Sequence, residues 1–220
     1  LWHIGQINHV LYFLGEISPS VGNLIIHCLA DPPTSAYSAD IPTLLKEMAK
    51  LGYSMNAQSE FGNIPLHYAV RANNVQMFDL LISLSDPADI LIKNKNNQCP
   101  CNLTSNWTRF SIAKFLQYHP EEVAIVMIHD VIQQRRVDTI ADLKLLLEKN
   151  PKCVQALDAS GRSPLHTISD NSSHYQRDGT VLDMLNVLLE SEHIDVNVRD
   201  ADGRTPLMQY MTERTVVLFD

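Results

Sequence analysis

The sequence predicts an all-α protein, a solenoid of stacked helix-turn-helix repeats joined by turn or hairpin fingers. Three observations predict it. Gly161-Arg162-Ser163-Pro164-Leu165-His166 has a near-copy upstream, Gly62-Asn63-Ile64-Pro65-Leu66-His67, and another downstream, Gly203-Arg204-Thr205-Pro206-Leu207-Met208. A second phrase keeps one distance ahead of two of these turns: Gly52-Tyr53-Ser54-Met55-Asn56-Ala57 and His193-Ile194-Asp195-Val196-Asn197-Val198. Between the phrases, apolar residues recur at i, i+3 and i+4, and no convincing alternation of strand type competes. A turn plus a helix start, repeated at long intervals, marks an array.

Each repeat is expected to open with a tight turn. Ser59, Asp158 and Asp200 stand first, where a short polar side chain bonds backbone N–H groups further along. The following glycine supplies backbone freedom at the tip. Pro65, Pro164 and Pro206 then fall at helix starts, which tolerate a missing N–H. In this register, weaker copies open at Gly22-Asn23-Leu24-Ile25-Ile26-His27 and at Asn97-Gln98-Cys99-Pro100-Cys101-Asn102, and a fourth keeps only Ile128-His129. Pro87 to Ile92 and Pro151 to Ala156 are weaker forms of the second phrase.

This pattern resembles the ankyrin repeat, with its Gly-x-Thr-Pro-Leu-His-x-Ala motif and a period near about 33 residues. Here the Leu-His column runs through 27, 67, 102, 129, 166 and 208, in steps of 27 to 42 residues. The short step marks the worst-matching repeat, and the long ones imply insertions. The chain is expected to be a single ankyrin-repeat domain over 1–220. Its repeats lie near 21–58, 59–93, 94–120, 121–157, 158–199 and 200–220, the last incomplete.

Outer helices are expected where the period is clearest. These are Ile41 to Leu51, Val75 to Ile82, Ile112 to Leu116, Ile140 to Leu147 and Val181 to Leu189. The polar or Pro/Ser-rich stretches 31–39 and 171–179 read as loops inserted between helices. At the N-terminus, Trp2, Ile7, Leu11 and Leu14 have helical spacing, and residues 1–20 could cap the first repeat. Val216-Val217-Leu218-Phe219 reads as the start of a second helix or as a disordered end. The first residue is Leu1 and no signal peptide follows, so the chain reads as a piece of a longer protein.

Composition narrows the function. The net charge is −8, which argues against a broad phosphate-binding face, and Arg135-Arg136 is the one basic pair. No apolar run is long enough to span a membrane. Four cysteines are too sparse and uneven for a disulfide framework and fit a reducing compartment, cytoplasm or nucleus. Cys99-Pro100-Cys101 has one residue between its cysteines rather than the two of zinc or redox motifs.

The ankyrin resemblance implies that the column His27, His67, His129, His166 ties neighbouring turns through hydrogen bonds; it is not expected to hold metal, because stacked repeats lie too far apart for one ion to bridge. No phosphate loop, dinucleotide fingerprint or nucleophile elbow is present. Glu121-Glu122 reads as helix-start charge. The sequon at Asn102 sits inside a helix motif, where a glycan would break the stack. No catalytic residue, cofactor, metal, nucleic acid or small-molecule substrate is therefore expected.

The ankyrin resemblance implies a protein partner held on the finger tips and inner helices. Its variable positions, carried over to this chain, are Glu60, Phe61, Asn63 and Arg71 in the second repeat. In the third they are Lys95, Asn96, Gln98 and Trp107, in the fifth Ser160 and Arg162, and in the sixth Asp202 and Arg204. Aromatic and arginine side chains dominate binding hot spots, which puts Phe61 and Trp107 first. Two other uses of such arrays remain open: a regulatory or substrate-recruiting domain of a larger enzyme or channel, and an inhibitor of a transcription factor.

Overall fold

The structure, a computed structural model, describes residues 12, 15–30, 40–103, 112–134, 139–170 and 179–217, the side chains of 134, 170 and 213–217 excepted. Trp107, the inserted stretches 31–39 and 171–178, and the expected cap residues Trp2, Ile7, Leu11 and Leu14 lie outside them. The described residues are helical with no strand. The chain divides into two compact units, Leu1–Ser111 and Ile112–Asp220.

In the first unit, helices α1 (Pro19–Ala30) and α2 (Asp40–Lys50) form one pair, and α3 (Pro65–Arg71) and α4 (Val75–Leu84) the next. Inner helix α1 packs on inner helix α3, and outer α2 on outer α4. A 3-10 turn, Pro100–Leu103, then packs on α3 as the start of a third inner element. The periodicity works as expected: Ile41, Leu45 and Met48 of α2, and Met77, Phe78 and Leu81 of α4, are buried in the seam. Burying Phe78 alone contributes roughly 1.5–3 kcal/mol.

Helix α3 ends because Asn73 turns left-handed at φ 55°, and Asn74 restarts the chain as α4 by accepting the Met77 N–H at 3.0 Å. The weak phrase at Pro87 is a 3-10 turn, Pro87–Leu91, capped by Asp86 accepting from Ala88 N–H. Asn150 does the same for Pro151–Gln155 in the second unit.

The second unit contains α5 (Ile112–Leu116), α6 (Pro120–Gln134), α7 (Thr139–Lys149), α8 (Pro164–Asp170), α9 (Thr180–Leu189) and α10 (Pro206–Val217). Inner helices α6, α8 and α10 stack in order, and α7 packs against α9 outside them. Glu121 and Glu122 fall in the first turn of α6, where negative charge meets the helix dipole.

Four expectations change. Gly22 is not a turn residue: it lies inside α1, pressed on the Tyr53 ring so closely that a Cβ would stand 2.0 Å from that ring. The fourth repeat has no finger, since only residues 117–119 separate α5 from α6, and this accounts for the short step in the column. Val216 and Val217 continue α10 rather than starting another helix. In α9 the buried line runs through Met184 and Leu188, while Leu189 faces solvent.

Candidate functional site

The fingers are built alike from unlike residues. Each closes on itself: Ser59 N–H donates to Asn63 O at 2.8 Å, Asn94 to Gln98 at 2.9 Å, Asp158 to Arg162 at 3.0 Å, and Asp200 to Arg204 at 2.9 Å. The tips at Gly62, Gly161 and Gly203 have φ of 75°, 70° and 76°. In the third repeat Asn97 adopts φ 61° in the glycine's place. Asparagine tolerates this region better than other side-chain-bearing residues.

The first residue of each turn holds it from within. Asp158 accepts from the N–H of Ser160 at 2.8 Å and of Arg162 at 2.9 Å, and its second oxygen accepts from Arg162 Nε at 2.8 Å. Asp200 accepts from Asp202 and Arg204 N–H, and Asn94 from Asn96 and Gln98 N–H. Burial raises the Asp158 carboxyl, but the bonds from Arg162 and Ser160 outweigh it and hold it below the ordinary value.

Successive fingers within a unit are fastened to each other. Lys95 N–H donates to Phe61 O at 3.0 Å in the first unit, and Ala201 N–H to Ser160 O at 3.1 Å in the second. Asn94 Nδ2 also donates to Asn63 Oδ1 at 2.8 Å. The fit leaves no room at the tip: a Cβ on Gly62 would stand 2.8 Å from Lys95 N.

The histidine column performs the tying that the resemblance implied. His67 Nδ1 accepts from Ile64 N–H at 3.1 Å, so Nε2 carries the proton and donates to Gln98 O at 2.9 Å. His166 repeats this with Ser163 N–H and Arg204 O. His27, deeper in a longer helix, reaches Ala57 O and Asn63 O through Nε2. His129 meets Ala156 O and Thr167 Oγ1. Burial lowers the affinity of His67 and His129 for a proton, outweighing the hydrogen bonds that would raise it. Asn102 takes the histidine's capping role, its Oδ1 accepting from Cys99 N–H at 2.8 Å.

Among the described residues no group of three His, Cys, Asp or Glu side chains is placed to hold a metal ion. No described helix is long and apolar enough to cross a membrane. Cys153 is buried and its thiol is pushed up to about 12 by that burial, which leaves it unreactive at neutral pH.

The expected partner-binding residues separate into two groups. Glu60, Phe61, Lys95 and Asn96 stand exposed on the zipped finger pair of the first unit, and Ser160 and Asp202 on that of the second. Asn63, Gln98, Arg162 and Arg204 are half-buried. Asn63 and Gln98 give their carbonyls to the column histidines, while Arg162 and Arg204 pair with the aspartates of their own turns. Arg71 lies 4.8 Å over the Tyr68 ring, whose hydroxyl donates to Ser59 Oγ. Tyr68, the inner-helix residue that carries Arg71, was not among the expected positions; its place directly after the column histidine was the available signal.

Paired inner and outer helices, left-handed finger tips and a histidine column define a helical-repeat solenoid. The fold is that of an ankyrin-repeat solenoid. A family profile described as "Ankyrin repeats (many copies)" matches residues 36–82. Among solved structures, the ankyrin repeat domain of Bcl-3, of the IkappaB family, superposes with TM-score 0.52 at 17% identity, covering 81% of this chain and 76% of that one. The ankyrin repeat protein EF0377 gives 0.54 at 20%, covering 80% and 87%. A chain in the complex of a Bdellovibrio bacteriovorus predatory endopeptidase, Bd0816, with the immunity protein Bd3460 gives 0.54 at 14%, covering 87% and 92%. Among curated proteins, oxysterol-binding protein homolog 2 of Saccharomyces cerevisiae is 22% identical over 206 residues, which are 91% of this chain. The chain spans only 15% of that relative's length. The ankyrin fold is typically a non-catalytic module for protein–protein interaction.

Proposed function

We propose that this chain is a non-catalytic interaction module that holds a protein partner on its finger tips and the adjoining inner helices, in the cytoplasm or nucleus. Phe61 carries the reading. It is 62% exposed at the tip of a finger whose own carbonyl is pinned by Lys95 N–H. An apolar ring on a fixed backbone loses little entropy on binding, which is what a hot-spot anchor requires. Glu60, Lys95 and Asn96 supply the polar rim, and Arg71 is held in place on Tyr68. The free cysteines suit a reducing compartment.

Affinity capture with the chain, followed by mass spectrometry, identifies partners, and Phe61→Ala with Arg71→Ala tests the face. The double variant is expected to bind an identified partner at least about tenfold more weakly, with its melting temperature little changed. Equal affinity of a folded double variant removes the finger face from consideration.

The curated relative favours a second reading, in which the module recruits a larger lipid-binding protein to its place of action through a protein contact. In that case the same double variant, introduced into the full-length protein, shifts its distribution in the cell while leaving ligand binding elsewhere in the chain intact.

A further inference from the structure

We propose a second docking surface, separate from the fingers: an open groove of about 520 Å³ between the C-terminal ends of outer helices α7 and α9, which takes a lysine- or arginine-bearing segment of a protein partner. Its floor is apolar, made by the half-buried Leu147 of α7 and Val187 of α9, with the exposed Pro151 beside them. Its rim is acidic. Glu148, Glu190 and Glu192 line it, against a single ammonium from Lys144.

Two further features bias the groove toward cations. Both α7 and α9 end at it, and helix C-termini carry partial negative charge. Glu148 is already met by Lys149 at 2.9 Å, but Glu190 and Glu192 are exposed and form no ion pair among the described residues. The wall that carries Glu192 is held in shape, because Gln155 Nε2 donates to His193 O at 3.0 Å and Ser191 N–H to Leu188 O at 3.1 Å.

A lysine or arginine side chain matches both parts of such a surface. Its aliphatic stem lies along the apolar floor while its charged head stays at the wet rim. A metal ion would not use the floor, and a phosphorylated or acidic segment would be repelled by the rim.

Fluorescence anisotropy with the 220-residue chain tests this at about 0.15 M salt. The probe is a fluorescein-labelled peptide of two Ala-Lys-Leu-Arg units, with Glu replacing Lys and Arg in the comparison peptide. The basic peptide is expected to bind and the acidic one not. Glu190→Lys with Glu192→Lys should weaken binding at least about tenfold. Glu16→Lys with Glu47→Lys, in the other unit, changes the net charge equally and should stay within about twofold. Val187→Ser, which removes apolar area from the floor without changing the charge, should also weaken binding. Equal losses in the two charge-reversed variants would mean that only the general field attracts the peptide, and would overturn the proposal. So would indifference to the sign of the peptide, or loss on Phe61→Ala, which would seat it on the fingers.

Discussion

His67 donates from Nε2 to the carbonyl of Gln98 at 2.9 Å while its Nδ1 accepts from Ile64 N–H, so one neutral ring both starts its own helix and grips the next finger. Protonation at Nδ1 would turn an acceptor into a donor facing another donor. Burial lowers the proton affinity of His67, and of His129, below the ordinary value of 6.5. The unfolded chain therefore takes up protons first. Stability from these two groups is complete above about pH 6.5 and is lost as pH falls from there through their folded values. Urea midpoints measured from pH 7.5 to pH 5.5 should fall, and His67→Asn should shallow that slope. A flat profile in the parent protein contradicts the assignment.

Finger tips should rank by their tolerance of a side chain. Gly62→Ala faces both a left-handed φ of 75° and a clash with Lys95 N, so it should cost more than about 1–2 kcal/mol. Asn97→Ala should cost about 1 kcal/mol, and Asn97→Gly should be neutral or slightly stabilising. Chemical denaturation of the three variants gives the order directly.

Asn102→Ala removes the acceptor for Cys99 N–H and should destabilise by about 0.5–2 kcal/mol, as loss of a helix cap does. Asn102→Asp keeps the acceptor and should recover most of it. An Ala variant as stable as the parent would show that Cys99 N–H finds another partner.

One column should give opposite results in its second and last repeats. Leu66 is fully buried, whereas Leu207, in the same position of its own motif, is 68% exposed. Leu66→Ala should cost about 2–5 kcal/mol and Leu207→Ala within about 0.5 kcal/mol, judged by thermal melts.

The sequence made the helix pairs readable because two cues coincide: an apolar line such as Ile41, Leu45 and Met48, and a fixed punctuation of Gly and Pro. It misled where a cue had another cause. Gly22 resembles a tip glycine, yet it is required by the close approach of the Tyr53 ring, a tertiary fact without a local signature. The absent finger before α6 was hidden because His129 keeps its column while the turn ahead of it is replaced by more helix. At the candidate site, exposure of Phe61 and Lys95 followed from register alone. The engagement of Arg162 and Arg204 was foreshadowed by Asp158 and Asp200, each an acceptor four residues upstream.

Asn97 and Asn102 fill two chemical jobs normally given to other letters, a left-handed tip and an acceptor at the third helical position. The match to the family profile stops at residue 82, yet the finger geometry carries on through both asparagines. Divergence here has changed the spelling and kept the syntax. Repeats of this kind are better sought by what a position must do, tolerate positive φ or receive an N–H, than by which residue customarily does it.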